Sequence, residues 1–355
     1  MRILHVTEAM ATGVLDVIAR MSSHQAQLGH HVEVAYSPHP DGPACTAVAH
    51  RLSGASRVHV RGARENPRIR RVLALGSLYR SLVHTQEWDI IHLHSTFAGL
   101  VGRVGGRRAP IVYSPHGYSF LRKDVAPASA AVFRTMERLL GPQHDLTLCV
   151  SVDEERTTRE LVGVRALTVR NVLSRSEIDL AGTRSARRRP KVVNIGRWGP
   201  QKAPERFARA ARLLHDVADF RWIGPGQIDG ASRWTTSGWI DSDAVWSELE
   251  DASVIYFTSR WEGMPVGLMQ AQAAGVPAVA MDCIGVRDVV IDGVTGHVAS
   301  DEDQAIAILR RLLRNPSELK VLEENSRALR YRFADDTYGE DVIRAYETAL
   351  DSHVN

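Results

Sequence analysis

The sequence predicts an α/β protein of two doubly wound, parallel-sheet domains facing a cleft. Three observations point there. Short apolar runs alternate with amphipathic segments along the whole chain. That is the pattern of parallel strands covered by helices on both faces. The pattern restarts near Lys191, after the polar, basic stretch SRSEIDLAGTRSARRRP, which reads as a linker. The chain of 355 residues, 44% hydrophobic and 24% charged, is long enough for two domains of ordinary size.

The elements follow in order. Strands are expected at 3–6, 32–36, 90–93, 111–113 and 146–150. Between the first two, Val14, Ile18, Met21, Gln25 and Leu28 share one face at the helical period, and Gly29 ends that helix. In the second half, KVVNIGRW is a strand running into a loop, and a helix spans 204–214. The strand FRWIG, a helix near 243–249, the strand VIYFTS, a helix within EGMPVGLMQAQAAG and the strand PAVAMD come next. The expected domains are residues 1–182 and 183–337. A C-terminal helix over 338–355 is expected to cross back to the first domain.

Composition excludes several classes. The net charge of +3 is too small and too dispersed for a nucleic-acid binder. It is uneven, with 22 Lys/Arg against 16 Asp/Glu in residues 1–182 and 22 against 25 in the remainder. Cys45, Cys149 and Cys283 are far apart and odd in number, so they suggest neither a disulfide framework nor a metal site. A reducing cytosol suits them. His5 and Glu8 interrupt the apolar N-terminus too early for a signal peptide. No run approaches the roughly 20 apolar residues of a membrane span. The expected location is cytoplasmic.

Ligands of doubly wound sheets bind beyond the carboxyl ends of the strands, so chemistry is sought in the strand-to-helix loops. Four stand out. Gly13 lies where the first strand passes into its helix, where free amides attract an anion; it is equally compatible with a plain turn capped by Thr12. His116-Gly117 in VYSPHGYSFLRK ends a strand, where an imidazole can meet a hydroxyl or serve structure alone. Arg197 and Lys202 in NIGRWGPQKAPE place two cations beside a helix N-terminus, where a diphosphate could sit. The order is not that of a Walker A loop. In SRWEGMPVGLMQAQAAGVP, Glu262 stands before a helix that Pro265 is expected to open, with Gln270 eight positions after the glutamate. Such a carboxylate can bind polyol hydroxyls or simply favour the helix dipole.

Together these loops resemble the retaining GT-B glycosyltransferases of family 4, also called glycosyl transferases group 1. YSPHGYSFLRKD, NIGRWGPQKAPERF and TSRWEGMPVGLMQAQAAGVPAVAMD are most similar to bacterial enzymes of exopolysaccharide, capsule or O-antigen synthesis. The resemblance implies a nucleotide diphosphate-sugar donor, with UDP-sugar favoured by family frequency. It implies that Gly13 faces the donor diphosphate and that Arg197 and Lys202 hold it. It places His116 against the transferred sugar and Glu262 on a sugar hydroxyl. Met264, Pro265, Val266 and Gly267 would lie beside sugar and phosphate. The base pocket would lie near WIGPG and TSGWIDSD, where Trp239 is a candidate.

Gln270 departs from the family, which usually carries a second glutamate on the ribose hydroxyls. A glutamine keeps one carbonyl acceptor but loses charge assistance, on the order of 1–2 kcal/mol. Retention is expected without a protein nucleophile of the two-carboxylate kind. No Asp-x-Asp stands in a suitable loop (DSD at 241–243 reads as a helix cap), so neither metal nor cofactor is expected. A glycan or polyprenyl-diphosphate-linked glycan is the implied acceptor. RENPRIRRVLALGSLYRSLVH is basic and amphipathic, which suits either an ordinary domain helix or peripheral contact with an anionic membrane. Two other classes share the fold: a GT-B nucleotide-sugar 2-epimerase and a degenerate, non-catalytic nucleotide-sugar-binding subunit.

Overall fold

The computed structural model describes residues 1–10, 13–40, 42–105, 108–182, 189–226, 233–334 and 336–354. Thr12 and residues 183–188 of the expected linker lie outside the described residues. The chain divides into two compact units, Met1–Leu121 with Val125–Arg170 and Asp336–Asn355, and Arg122–Asp124 with Asn171–Asp335.

In the first unit the described strands are β1 (Arg2–Thr7), β2 (His31–Tyr36), β3 (Arg57–Val60), β4 (Ile90–His94), β5 (Ile111–Ser114), β6 (Leu146–Cys149) and β7 (Ala166–Thr168). They form one sheet in the order β3-β2-β1-β4-β5-β6-β7, with every pair parallel. Leu4, Val6, Ile91, Leu93, Ile111 and Tyr113 pack one core with Leu75, Tyr79 and Leu82. The helix Gly13–Gln27 buries Ile18, Met21 and Gln25 as its period implies. Leu28 does not follow: it lies past the last helical residue and is 45% exposed. Gly29, at φ +82°, takes the left-handed turn that ends the helix.

The second unit holds β8 (Lys191–Ile195), β9 (Asp219–Ile223), β10 (Thr235–Thr236), β11 (Val254–Phe257), β12 (Ala278–Met281) and β13 (Gly296–Ala299). Their order is β10-β9-β8-β11-β12-β13, again wholly parallel. Val192, Phe207, Trp222, Tyr256 and Leu309 belong to its core. The strands without a sequence expectation, β3, β7, β10 and β13, are short and poor in large apolar side chains. All four are sheet edges, and β7 and β10 have only three and two residues. Edge strands need no continuous apolar run.

The units meet the chain at 170/171, not at 182/183. Residues after Arg170 are tied to the second unit, for Asn171 Nδ2 donates to the Met264 carbonyl (3.0 Å) and Leu173 N to that of Phe333 (2.9 Å). The helix Tyr338–Val354 belongs to the first unit. In the basic helix Arg68–Thr85, Leu75, Leu78, Tyr79, Leu82 and Val83 are buried, while Ile69 and Leu73 are exposed. No helix among the described residues is long and apolar enough to cross a membrane.

Candidate active site

Each sheet has one point where the strand order reverses direction, between β1 and β4 and between β8 and β11. Loops leaving such neighbours run to opposite faces and open a crevice between them. The candidate residues gather at these two points.

In the first unit, Glu8 directly follows β1. Its carboxylate accepts from Ser95 Oγ (2.7 Å), Phe97 N (3.1 Å) and Ala98 N (2.7 Å). It thereby caps the helix Thr96–Val104, which leaves β4. Burial raises its pKa, and these hydrogen bonds oppose the rise. Gly13 opens the neighbouring helix, and a Cβ added there would meet no described atom within 4 Å. Packing against the described residues therefore does not require glycine at this position.

His116 follows β5 at φ +51°, a left-handed conformation costly for a non-glycine residue. The strain is held by its neighbours. Gly117 N donates to Glu154 Oε1 (2.7 Å), and Val150 N to Glu154 Oε2 (2.9 Å). Burial lifts the Glu154 carboxyl to about 7. His116 Nε2 lies 2.9 Å from His94 Nδ1, and His94 Nε2 lies 2.9 Å from His5 Nδ1. Burial lowers His116 and His5 to about 4 and pushes His92 and His94 well below the usual histidine range. The ring nitrogens of His5, His92 and His94 come within 4.8 Å of one another, close enough to hold a metal ion. All six of those nitrogens already have hydrogen-bond partners. A metal would have to displace them.

In the second unit the two loops at the reversal point are sewn together. Thr258 Oγ1 donates to the Lys202 carbonyl (2.5 Å) and accepts from Asn194 Nδ2 (2.7 Å). Arg260 N donates to the Gln201 carbonyl (2.8 Å). Gly196 is at φ +146°, and a Cβ there would fall 2.7 Å from Lys202 Cε. Glycine thus lets the lysine side chain cross its own loop. Lys202 Nζ reaches Glu262 Oε1 at 2.6 Å, and Gln201 Nε2 donates to the Trp261 carbonyl at 3.0 Å. Both partners of the ion pair are largely enclosed, with 18% and 9% of their side chains exposed.

Arg197 is half-buried on the Lys202 loop. The helix after Glu262 runs Val266–Ala273 with Pro265 as its N-cap, so the proline precedes the helix instead of opening it. The Pro265 carbonyl takes the first bonds, from Leu268 N and Met269 N (both 3.1 Å). The amides of Val266 and Gly267 have no intrahelical carbonyl to meet. Gly267 lies against β8, where a Cβ would come 2.8 Å from Ile195 Cγ2. Gln270 is buried on the same helix.

Trp239 is 47% exposed; Trp198 stacks on Trp234 (6.0 Å) and meets Trp222 edge-on (4.9 Å). Asp241 occupies the N-cap of the helix Ser242–Leu249, but its side chain makes no capping hydrogen bond. An open hollow of about 890 Å³ is lined by Lys191, Arg221, Trp234, Glu248 and Asp251, among others. It adjoins the starts of β8 and β9, away from Lys202, and its charges pair among themselves (Lys191 with Asp251, Arg221 with Glu248).

Glu8, Glu154, His5, His92 and His94 had no place in the sequence reading of the site. A signal existed: polar residues interrupt β1, β4 and β5, whose remaining positions are apolar and buried.

Comparison with known families settles the class. Residues 11–172 match the model of Glycosyltransferase Family 4, and residues 189–315 match that of Glycosyl transferases group 1. The chain is a family 4 glycosyltransferase. It is 23% identical over 332 residues to an uncharacterized 41.2 kDa protein in the cps region of Klebsiella pneumoniae, covering 85% of this chain and 87% of the relative. It is 24% identical over 296 residues to the UDP-Gal:alpha-D-GlcNAc-diphosphoundecaprenol alpha-1,3-galactosyltransferase of Escherichia coli, covering 73% and 74%. Among solved structures, sucrose-phosphate synthase from Thermosynechococcus elongatus superposes with a TM-score of 0.82 at 16% identity, covering 99% of this glycosyltransferase and 100% of that chain. HepE from Anabaena, in complex with UDP and glucose, superposes with a TM-score of 0.76 at 15% identity, covering 98% and 100%. The fold of this glycosyltransferase is GT-B.

Proposed function

We propose that this glycosyltransferase is a retaining enzyme of cell-surface polysaccharide assembly. It moves a sugar from a nucleotide diphosphate-sugar, UDP-sugar by preference, to a glycan or polyprenyl-diphosphate-linked acceptor. The observation that carries the reading is the enclosed Lys202–Glu262 pair at the reversal point of the second sheet. It sets a cation and a hydroxyl-binding carboxylate beside a helix N-terminus. The relative that acts on a diphosphoundecaprenol-linked acceptor supports the acceptor class, and the neighbour holding UDP and glucose supports the donor.

Breaking a sugar–diphosphate bond places negative charge on the leaving group. Arg197, Lys202 and the amides of Val266 and Gly267 stabilise it, as Gly13 does from its own helix start. Glu262 accepts from a sugar hydroxyl, Gln270 from ribose, and His116 meets the transferred sugar. The acceptor hydroxyl attacks on the face the leaving group vacates, and the departing phosphate takes its proton. The first unit takes the acceptor and the second the donor. No step needs a metal. The exposed Ile69 and Leu73 beside Arg68 and Arg70 support peripheral contact with an anionic membrane.

Thermal shift with UDP, GDP, ADP, CDP and dTDP and their sugar conjugates tests the donor, because a ligand of the folded state raises the melting temperature. A rise with UDP species, and turnover that survives excess EDTA, are expected. A shift confined to another nucleotide replaces UDP. Donor hydrolysis or transfer absent with every donor and acceptor would end the catalytic reading.

A further inference from the structure

A continuous chain of hydrogen bonds runs through the first unit, and the carbonyl at its far end sets its direction. Ser114 Oγ lies 2.6 Å from the Leu148 carbonyl oxygen. A carbonyl only accepts, so the single hydroxyl proton points at Leu148. His92 Nε2, 2.9 Å from the same Oγ, must then be the donor. Burial keeps His92 neutral, so its Nδ1 is bare and accepts from the Tyr346 hydroxyl at 2.7 Å. With that proton used, the phenol oxygen accepts from Gln25 Nε2 at 3.0 Å.

The amide of Gln25 is thereby oriented. Its Oε1 faces His5 Nε2 at 2.8 Å, and that nitrogen must carry a proton. Neutral His5 leaves Nδ1 bare for a proton on His94 Nε2 (2.9 Å). Neutral His94 in turn leaves Nδ1 bare for a proton on His116 Nε2 (2.9 Å). Reversing the chain would leave the Ser114 and Leu148 oxygens 2.6 Å apart with no proton between them.

We infer that this relay locks His116 in the Nε2–H tautomer, so that its bare Nδ1 accepts a hydrogen bond from a substrate hydroxyl and disfavours a phosphate or carboxylate oxygen. Among the described residues His116 Nδ1 has no partner. That the hydroxyl belongs to the transferred sugar rests on the proposed function; the tautomer does not. Ser114, His92, Tyr346, Gln25, His5 and His94 are positioning residues. They act on the ligand only through the ring of His116. Tyr346 gives the C-terminal helix a part in this, since it stands between His92 and Gln25.

Long-range ¹H–¹⁵N correlation of the full chain labelled with ¹⁵N-histidine tests the inference at neutral pH. The His116 signal is identified by its loss in His116→Asn. His116 and the three relay histidines should all appear as neutral Nε2–H rings. In Tyr346→Phe, which keeps the ring but removes both polar links, His116 should show a second, Nδ1–H population. An Nδ1–H or doubly protonated His116 in the unaltered chain overturns the inference. So does a single unchanged tautomer in Tyr346→Phe, or one equivalent of zinc retained through purification with metal-shifted His5, His92 and His94 signals. An Nε2–H His116 in a chain that turns over no donor upholds the relay and counts against the proposed function.

Discussion

The carboxyl ends of the two sheets occupy the same topological position and are furnished in opposite ways. The first presents neutral groups: four histidines held below their ordinary pKa by burial, aligned by hydrogen bonds. The second presents charge, with Lys202 and Glu262 facing each other at 2.6 Å. Enclosure acts on both, and the partner decides the result. A buried imidazole can shed its proton and remain a hydrogen-bonding group, so desolvation leaves it neutral. A buried carboxylate 2.6 Å from an ammonium is stabilised as an ion by its partner. One fold therefore presents neutral groups at one sheet and an ion pair at the other without changing its backbone plan.

The hardest break is on the charged side. Lys202→Met should lower kcat by about 10²–10³-fold, the range seen when one group stabilising transition-state charge is removed. It also strands the Glu262 carboxylate. Adding Glu262→Gln should recover folding stability, since no unpaired charge then remains, but not rate. Initial velocities at saturating donor, with urea unfolding of both variants, check this. Recovery of rate in the double variant would make the pair structural.

On the neutral side the expected break is acid. Between about pH 6.5 and about pH 4 the unfolded chain protonates histidines that the folded chain keeps neutral. The unfolded state then binds more protons, so stability falls as pH falls through this window. Glu154 acts in the other direction: raised from 4.5 to about 7, it keeps a proton in the folded chain that the unfolded chain releases, and its contribution declines as pH rises between those values. The net loss from pH 6.5 to 5 should be on the order of 2–4 kcal/mol. Urea midpoints at pH 7, 6 and 5 measure it, and Glu154→Gln should steepen the loss. A midpoint unchanged between pH 7 and 5 would remove the neutral-histidine account.

The smallest effect should sharpen the contrast. Gln270→Glu adds a charge to the charged side and should tighten UDP by about tenfold, equivalent to roughly 1–2 kcal/mol. Titration calorimetry of both forms decides it. Weaker binding would place Gln270 away from the ribose.

Much of this was legible in the chain. Interior strands such as β1, β2, β4, β5, β8, β11 and β12 are largely apolar runs because strands buried on both faces must be. Lys202 and Glu262 stood out because loops after such strands are where charge has a use. The relay was not legible, although His5, His92 and His94 interrupt apolar strands in plain view. Read alone, each is an oddity in a strand. Their meaning needs the β1–β4 register, which sets His5 beside His92 and Thr7 beside His94, and Tyr346, which comes 254 residues after His92.

The sequence by itself determined the class of the fold, two parallel α/β sheets, because burial on both faces writes itself into local apolar periodicity. It also determined the family, because loop motifs are contiguous. Only the tertiary structure decided where the second unit begins, which exposed side chains lack cover, and which way the protons of the relay point. Those depend on partners distant in sequence, and a hydrogen bond has a direction only once both of its ends are in place.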